Sequence, residues 1–525
     1  MSNNYPKINR ILKTVMCLFA LFLSNTLISK VSAQKIILDQ QDLLDNYESS
    51  CYDNHISVFP SINCRNDIKG YFNLLPLYTN TVYNSEYARG LNDGPAWQGK
   101  GVNFTTSFGF SGRWGNLTYV VNPIIQYNQN LSFYTGTDLT SRNNPYQYPF
   151  LYSGSIDLVT RYGPNSDMNI YPGQSELALS LNKLKFSFST QNMRWGPAIY
   201  NPILMSTNAE GFPHLSIGTN EVLETAIGDF DGQIIWGIIE ESDYYNDDSE
   251  DDHRYFTAIS VGYSPAFFKE FSITIHRALY AQTRYLTGFF DNGFAVFSGV
   301  IAPDKGKTIN GQYFSNDIYD QNISISMMYE NVDDRFKLYW EWAIGDFPAG
   351  VSNFLEHPDD HSGFTIGLWK EFALSNNNRF RLIFEHSDLA IWDLRYTSGY
   401  NSPSLYIHQV NKQGYTNNGQ IIGASIGPGG NSDEIRLTYF WEKSSLSLEY
   451  QRTRFNDDYF FTQVAGNQKR PFDLEHHVGF QYVSKQLGRF TYNISFFTGI
   501  RNNYLYQDPI LKVNIHSKAA VRYHF

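Results

Sequence analysis

Apolar and polar residues alternate along much of the chain after residue 99, and a period of two predicts β-strands. In one such stretch Phe336, Leu338 and Trp340 share a face, while Lys337 and Glu341 lie on the other. The same alternation recurs in the ranges 323–330, 434–441 and 490–497, with turn-rich pieces between them. The pattern therefore predicts an all-β chain.

The end of the chain carries the clearest strand. Its apolar positions share one parity: Val513, Ile515, Ala519, Val521, Tyr523 and Phe525. A terminal phenylalanine on such a strand is typical of bacterial outer-membrane barrels, whose assembly machinery reads that strand. We therefore predict outer-membrane lipid and the barrel assembly machinery, through Phe525, as partners.

No stretch after Gln34 approaches the roughly 20 apolar residues of a membrane-spanning helix. In lipid, only helices and closed barrels pair every backbone group, and the 38 tyrosines and 9 tryptophans suit interfacial girdles. We predict a closed transmembrane antiparallel β-barrel. About 425 residues at roughly 10 per crossing, plus unequal loops, correspond to 14 to 18 strands. A soluble β-sandwich or propeller is the alternative, although no repeat supports a propeller.

The first 33 residues resemble a secretory signal peptide. Lys7, Arg10 and Lys13 precede an apolar run over 15–23, and small residues at 31–33 predict cleavage before Gln34. A retained anchor is the alternative. Residues 34–75 are interpreted as a short N-terminal periplasmic segment in which Cys51 and Cys64 form a disulfide. The barrel would comprise residues 76–525.

Charge and composition exclude several classes of partner. Removing residues 1–33 takes away four of the 40 basic residues and none of the 51 acidic ones, which leaves a net charge of −15. Nucleic-acid binders are basic instead, so no nucleic acid is expected. Cysteine and histidine do not follow zinc-ligand spacing, and no cofactor is predicted.

Two sets of residues raise further alternatives. The acidic loop 240–252 suits calcium by its oxygen-rich composition, but lacks the alternation and central glycine of known calcium loops, which favours a solvated surface loop. Histidines such as His276 and His408 would be needed in a membrane-embedded hydrolase. The sequence pairs no serine with them, and lumen-facing histidines explain them better. We predict that the protein is not an enzyme.

The segment 191–219 interrupts the alternation with prolines, glycines and asparagines, which exclude a continuous strand. It is either an outer loop or a constriction inside the barrel. Its residue types are those that hold sugars, by ring stacking and by amide hydrogen bonds. The equally weighted alternative is a loop that braces the barrel wall.

This segment resembles the Wzi capsule assembly family, sharpest at Arg194-Trp195-Gly196-Pro197 and at Gly211-Phe212-Pro213-His214, the latter in a form similar to the Bacteroidetes branch. Three further pieces agree in order: 92–101, 384–388, and 406–423 with 430–432. These family-like motifs supply the candidate residues for polysaccharide binding, which are Arg194, Trp195, Asn201, Asn208, Phe212, His214, His408 and Tyr415.

The resemblance implies an 18-stranded outer-membrane barrel that acts as a lectin and helps to assemble or attach capsular or related polysaccharide at the cell surface. The family is not known for covalent chemistry. An outer-membrane diffusion porin is the alternative, because a polar lumen and long loops suit it equally well.

Overall fold

The structure is a computed structural model that describes residues 32–34, 65–68, 70–136, 144–150, 155–246, 248–286, 292–299, 307–309, 312–314, 318–346, 351–357, 359–391, 404–464, 471–507 and 510–525. The predicted signal peptide lies almost wholly outside these residues, and so do Cys51 and Cys64. Among the described residues, no helix has the length and apolar character needed to cross a membrane.

Strands dominate the described chain, as the alternation predicts. The first fifteen are β1 Ser32–Gln34, β2 Arg65–Asp67, β3 Asn73–Leu74, β4 Leu77–Asn84, β5 Gly101–Ser107, β6 Phe110–Trp114, β7 Leu117–Val121, β8 Ile124–Asn128, β9 Asp167–Tyr171, β10 Glu176–Leu181, β11 Leu184–Ser189, β12 His214–Thr219, β13 Leu223–Thr225, β14 Gly228–Glu240 and β15 His253–Pro265.

The remaining strands are β16 Phe271–Gln282, β17 Lys307–Ile309, β18 Gln312–Phe314, β19 Asp320–Asn331, β20 Phe336–Gly345, β21 Ser362–Ala373, β22 Arg379–Asp388, β23 Thr416–Asn417, β24 Gln420–Ile421, β25 Asn431–Trp441, β26 Ser444–Arg454, β27 Leu474–Leu487, β28 Phe490–Asn502 and β29 Leu511–Tyr523. The α-helices in the described part are short, α1 Val351–Glu356 and α2 Asp457–Tyr459. The all-β prediction is confirmed.

One large sheet of 23 strands contains all strands except β1, β2, β17, β18, β23 and β24. Successive strands pair antiparallel, from β14 with β15 through β28 with β29. The last strand also pairs with β4, where His516 lies opposite Asn84 and Tyr523 opposite Leu77. β10 pairs with β7 as well as with β11. The last strand of the chain thus lies beside one of the first strands of the large sheet.

Connections differ sharply between the two ends of the strands. At one end, two to five residues join neighbouring strands, as at 115–116, 182–183, 266–270 and 442–443. At the other end the connections run from 8 to 42 residues, the longest over 389–430. We call these the turn end and the loop end. β29 finishes at the turn end.

The two faces of the sheet are inverted relative to a soluble protein. On β5, Val102 and Phe104 are 41% and 38% exposed, whereas Asn103 is 1% exposed. On β25 the apolar Ile435 and Tyr439 are exposed and the polar parity is buried. The predicted apolar and polar faces are therefore confirmed, and the polar face is the enclosed one.

Candidate functional site

Residues 190–213, which we call the inserted segment, run along the enclosed face of the sheet. Glu341 on β20 accepts hydrogen bonds from the backbone N–H groups of Ala198 at 2.7 Å and Ile203 at 3.0 Å. Glu385 on β22 accepts three more, at 2.6 to 3.0 Å, from residues 199–201. Because an unpaired buried backbone amide costs about 1–3 kcal/mol, these carboxylates explain how an irregular segment can be buried.

A glycine turn brings the inserted segment against Glu341. Gly196 has φ +101°, a backbone conformation that side chains disfavour, and a Cβ there would lie 2.2 Å from Glu341 Oε1. Immediately before it, the backbones of Trp195 and Met205 pair in an isolated β-bridge. The glycine of the Arg-Trp-Gly-Pro motif is thus required by its backbone conformation and by its close contact with Glu341.

Three of the predicted binding residues lie deep in this segment. Arg194 is 3% exposed and Trp195 is 1% exposed, and the indole stacks on the His276 ring at 5.4 Å. Asn201 is fully buried, and its side-chain amide donates to Ser432 Oγ at 3.2 Å and to Glu434 Oε1 at 3.3 Å. These contacts tie the inserted segment to β16 and β25.

Phe212 and His214 mark the return of the segment to the sheet. The Phe212 ring packs edge-on against Phe256 at 5.1 Å, and His214 Nδ1 lies 2.8 Å from the carbonyl oxygen of Phe212. Both are 4% exposed. Asn208 differs, because it is half-buried and lines an open cleft while its amide donates to the Ile421 carbonyl at 2.9 Å.

His408 and Tyr415 come from the longest loop. Tyr415 is fully buried and stacks on Tyr406, with ring centroids 5.8 Å apart. His408 is 7% exposed, and its Nδ1 accepts hydrogen bonds from the backbone N–H groups of Val410 and Asn411. The structure thus buries seven of the eight predicted residues in bracing contacts. Their role in binding polysaccharide stays a prediction.

One open space that suits a ligand lies at the loop end. A cleft of about 250 Å³ is lined by Pro95, Trp97, Gln126, Asn128, Tyr162, Asp167, Asn169, Tyr171, Glu210, Ser242, Asp243, Tyr244, Asn418 and Gln420. We call it the Trp97 cleft. Aromatic rings stack on apolar faces, and amides and carboxylates bond hydroxyl groups. This lining is chemically suited to a sugar.

Local contacts hold Trp97 at the wall of the cleft. Its ring meets Tyr162 edge-on at 5.2 Å, and the Gln126 amide donates to its carbonyl oxygen at 2.7 Å. A Cβ on Gly99 would lie 2.5 Å from the indole, so only glycine leaves room for this ring position. The family-like piece 92–101 therefore contains a functional candidate, Trp97, that sequence reasoning did not single out.

Acidic groups give the Trp97 cleft its charge. Its lining includes Asp167, Glu210 and Asp243, and no lysine, arginine or histidine occurs among the lining residues that the structure describes. The pKa of Glu210 is raised to about 7, mainly by burial and to a smaller extent by the nearby Glu240 carboxylate. The hydrogen bond that Asn418 donates to the Glu210 carboxylate acts in the opposite direction.

A second cleft, of about 270 Å³, adjoins the first and shares Trp97 and Gln420 with it. Arg89 and Arg501 line it, so we call it the Arg89 cleft. Arg501 is already bound to Asp473 by two hydrogen bonds of 2.6 Å. Trp97 thus lies between two clefts, of which only the Arg89 cleft has basic side chains in its described lining.

Among the residues that the structure describes, two groups of side chains have the spacing of metal ligands. Asp320, Asp346 and His408 place ligand atoms within 4.8 Å of one another. Because His408 Nδ1 accepts two backbone hydrogen bonds, the proton of the neutral ring lies on Nε2, the atom facing Asp320, and a metal ligand must be unprotonated. This hydrogen bonding opposes a metal there.

The other group belongs to the acidic loop. Glu241, Asp251 and Asp252 also lie within 4.8 Å of one another, and Gln413 donates to Glu241 Oε2 at 2.6 Å. Three carboxylates could hold a hard cation, but acidic residues also gather on protein surfaces without one. Calcium binding by this loop and its solvated alternative both stay predictions.

Comparison with known proteins identifies the family. The model of the capsule assembly protein Wzi family matches residues 86–507. Among solved structures, the chain is similar to Wzi of Escherichia coli, an outer-membrane protein involved in group 1 capsule assembly and described as a carbohydrate-binding β-barrel. The TM-score is 0.56 and the identity 12%, over 86% of this chain and 84% of that one.

Two further solved structures are similar to the chain to a lesser degree. OccAB2 of Acinetobacter baumannii has a TM-score of 0.41 and 12% identity, over 86% of this chain and 97% of that one. OpdL of Pseudomonas aeruginosa has a TM-score of 0.39 and 8% identity, over 86% and 98%. No curated protein matches the chain. The match over most of its length shows that the chain belongs to the Wzi capsule assembly family.

Proposed function

We propose that the large sheet closes as an antiparallel barrel of 18 transmembrane strands in the outer membrane. Supporting this, β29 pairs with β4, and the count is 18 when five interrupted strands are each taken as one: β3 with β4, β5 with β6, β7 with β8, β9 with β10, and β12 with β13. The outward apolar face suits lipid. The turn end would face the periplasm and the loop end the exterior.

Export completes this proposal. A signal peptide over 1–33 would be cleaved before Gln34, and the assembly machinery would read the strand that ends near Phe525. Residues 34–75 would stay in the periplasm, apart from β3, whose Asn73 and Leu74 pair with β6.

Within this barrel, we propose that the protein binds capsular or related polysaccharide at the cell surface and aids its assembly or attachment, without covalent chemistry. The observation that carries the proposal is the Trp97 cleft, in which aromatic rings and amides gather at the loop end of a Wzi family member. E. coli Wzi, described as carbohydrate-binding, adds support.

Trp97→Ala tests this function. We expect affinity for the surface polysaccharide of the producing strain to fall about tenfold, because the variant removes the stacking ring. That loss corresponds to about 1.4 kcal/mol. The measurement is isothermal titration with the purified protein in detergent.

The matched control is Trp114→Ala. Trp114 is 76% exposed and is the last residue of β6, at the turn end, whereas the cleft lies at the loop end. Its affinity should equal that of the wild type. Equal affinity of the Trp97 variant and the wild type would contradict the assignment of the cleft. Failure of the wild type to bind any surface polysaccharide would contradict the function.

The alternative function, a diffusion porin, would require an open channel through the barrel. The inserted segment crosses the enclosed face, and residues 404–430 pack against it, for example where Tyr406 donates a hydrogen bond to the Ile203 carbonyl at 2.6 Å. This filling supports a blocked barrel. Steady conductance of the wild-type protein in planar bilayers would favour the porin instead.

A hydrolase is less well supported. His276 Nδ1 lies 2.9 Å from Ser260 Oγ, the geometry of a nucleophile and its base. Both residues are 1% exposed, and Trp195 covers the imidazole. A substrate in the membrane or outside the cell could not reach this pair, so it supports a structural role.

A further inference from the structure

The charge of the Trp97 cleft narrows the class of sugar that it can hold. Asp243 is exposed at its edge, and Asp167 and Glu210 are half-buried along its wall. None of these three carboxylates forms an ion pair with a base in the described lining, since that lining contains no basic side chain. Within its described lining, the cleft therefore presents negative charge that no basic side chain compensates.

The neutral groups of the same wall are arranged around these carboxylates. The side-chain amide of Asn418 donates a hydrogen bond to the Glu210 carboxylate, and that of Asn169 donates one to the Asp167 carboxylate. Each of these two amides therefore has one N–H group already in use. The remaining capacity of the carboxylates is to accept hydrogen bonds. Hydroxyl or ammonium hydrogens of a sugar can supply them, whereas a second carboxylate cannot.

Aromatic side chains define the shape of the space. Trp97 meets Tyr162 at 5.2 Å, and Tyr162 meets Tyr244 at 5.8 Å with the rings nearly perpendicular. The volume of about 250 Å³ lies just below the range of drug-sized ligand pockets, about 300–1,000 Å³. The space suits one sugar residue of a longer chain.

We propose that the Trp97 cleft accepts a sugar residue that carries no carboxylate, either uncharged or amino-bearing, and rejects a uronic acid residue. This inference rests on the proposed function and adds the chemical class of the bound residue. A uronate would bring its charge within a few ångströms of three carboxylates in a partly enclosed site, where repulsion is screened less than in water. Acidic residues of the polysaccharide would lie outside this cleft.

The test uses the full-length protein in detergent at pH 8, above the pKa of Glu210 of about 7. Binding is measured for a panel of oligosaccharides of one length in three classes: uncharged, amino-bearing and uronate-bearing. We expect the tightest uncharged or amino-bearing ligand to bind at least tenfold more tightly than any uronate ligand.

Two variants assign the selectivity to the cleft. The double variant Glu210→Gln, Asp243→Asn keeps the shape of the cleft and removes two of its negative charges. Its preference for uncharged or amino-bearing ligands over uronate-bearing ones should therefore shrink to about threefold or less. The control Asp333→Asn removes a charge from the exposed turn 332–335 at the other end of the molecule and should keep the full preference.

The outcomes separate the two proposals. Uronate ligands that bind the wild type as tightly as the others would overturn the inference while leaving polysaccharide binding intact. An unchanged preference in the double variant would also overturn it, since the selectivity would then arise elsewhere. Absence of binding across the whole panel and to the native polysaccharide would overturn the proposed function as well.

Discussion

At the scale of single residues, Gly196 shows how one position permits the inserted segment. Its φ is +101°, and a Cβ added there would lie only 2.2 Å from Glu341 Oε1, which leaves no space for a side chain. Alanine would add backbone strain of about 1–3 kcal/mol and would push the Glu341 carboxylate away from the amides of Ala198 and Ile203. The cost therefore has two parts.

Gly196→Ala should consequently lower the thermal stability of the folded protein and weaken the protection of the amides at 198 and 203 against hydrogen exchange. Gly115→Ala is the matched control, because Gly115 also has positive φ, +61°, but nothing lies within 4 Å of an added Cβ. A loss equal to that of the control would show that contact with Glu341 contributes nothing.

Some residue roles could be predicted from the sequence and others could not. The glycines and prolines of 191–219 predict a break in the strand pattern, because they act locally. The residues that hold the inserted segment could not be predicted, because Glu385 lies 184 to 186 positions away from the backbone N–H groups whose hydrogen bonds it accepts. Trp97 was missed for the same reason: separate loops assemble its cleft.

At the scale of elements, the inserted segment is fixed to two strands, to β20 through Glu341 and to β22 through Glu385. Glu385→Gln replaces one carboxylate oxygen by an amide donor. The donor cannot accept the hydrogen bond from Ile199 at Oε2 or, in the other orientation, those from Tyr200 and Asn201 at Oε1. Hydrogen bonds to charged groups contribute about 1.5–3 kcal/mol each. We expect faster hydrogen exchange over residues 198–203, by at least tenfold, with the strands β20 and β22 unchanged.

The control for this experiment is Glu442→Gln, at the two-residue turn between β25 and β26. It changes the same chemical group without touching the inserted segment. Unaltered exchange at 198–203 in Glu385→Gln would mean that the Glu385 carboxylate does not hold the segment.

At the scale of the whole molecule, the inverted faces decide where the protein can reside. The alternation at 434–441 predicts both faces correctly, because a strand needs only its own parity to place side chains on two sides. The connections between distant strands could not be derived in this way. Strand number and closure depend on pairings between residues far apart in the sequence.

Leu448→Arg tests the membrane face directly. Leu448 is 58% exposed near the middle of β26, between the apolar neighbours Leu437 and Phe480. A charge at the bilayer midplane costs about 2–4 kcal/mol, so folding into lipid vesicles should be weakened by that amount. Asp333→Arg, at the turn end, should fold as the wild type does. Equal folding of both variants would place Leu448 outside the lipid.

The pairing of β29 with β4 has a consequence for biogenesis. His516 and Asn84 lie 432 positions apart, so the early edge of the sheet meets its neighbour only after the final segment has been synthesised. A chain truncated before β29 would leave β4 and β28 each with one row of unsatisfied donors and acceptors. Such rows recruit foreign strands, so late nonsense mutations should be more harmful than their small loss of mass suggests.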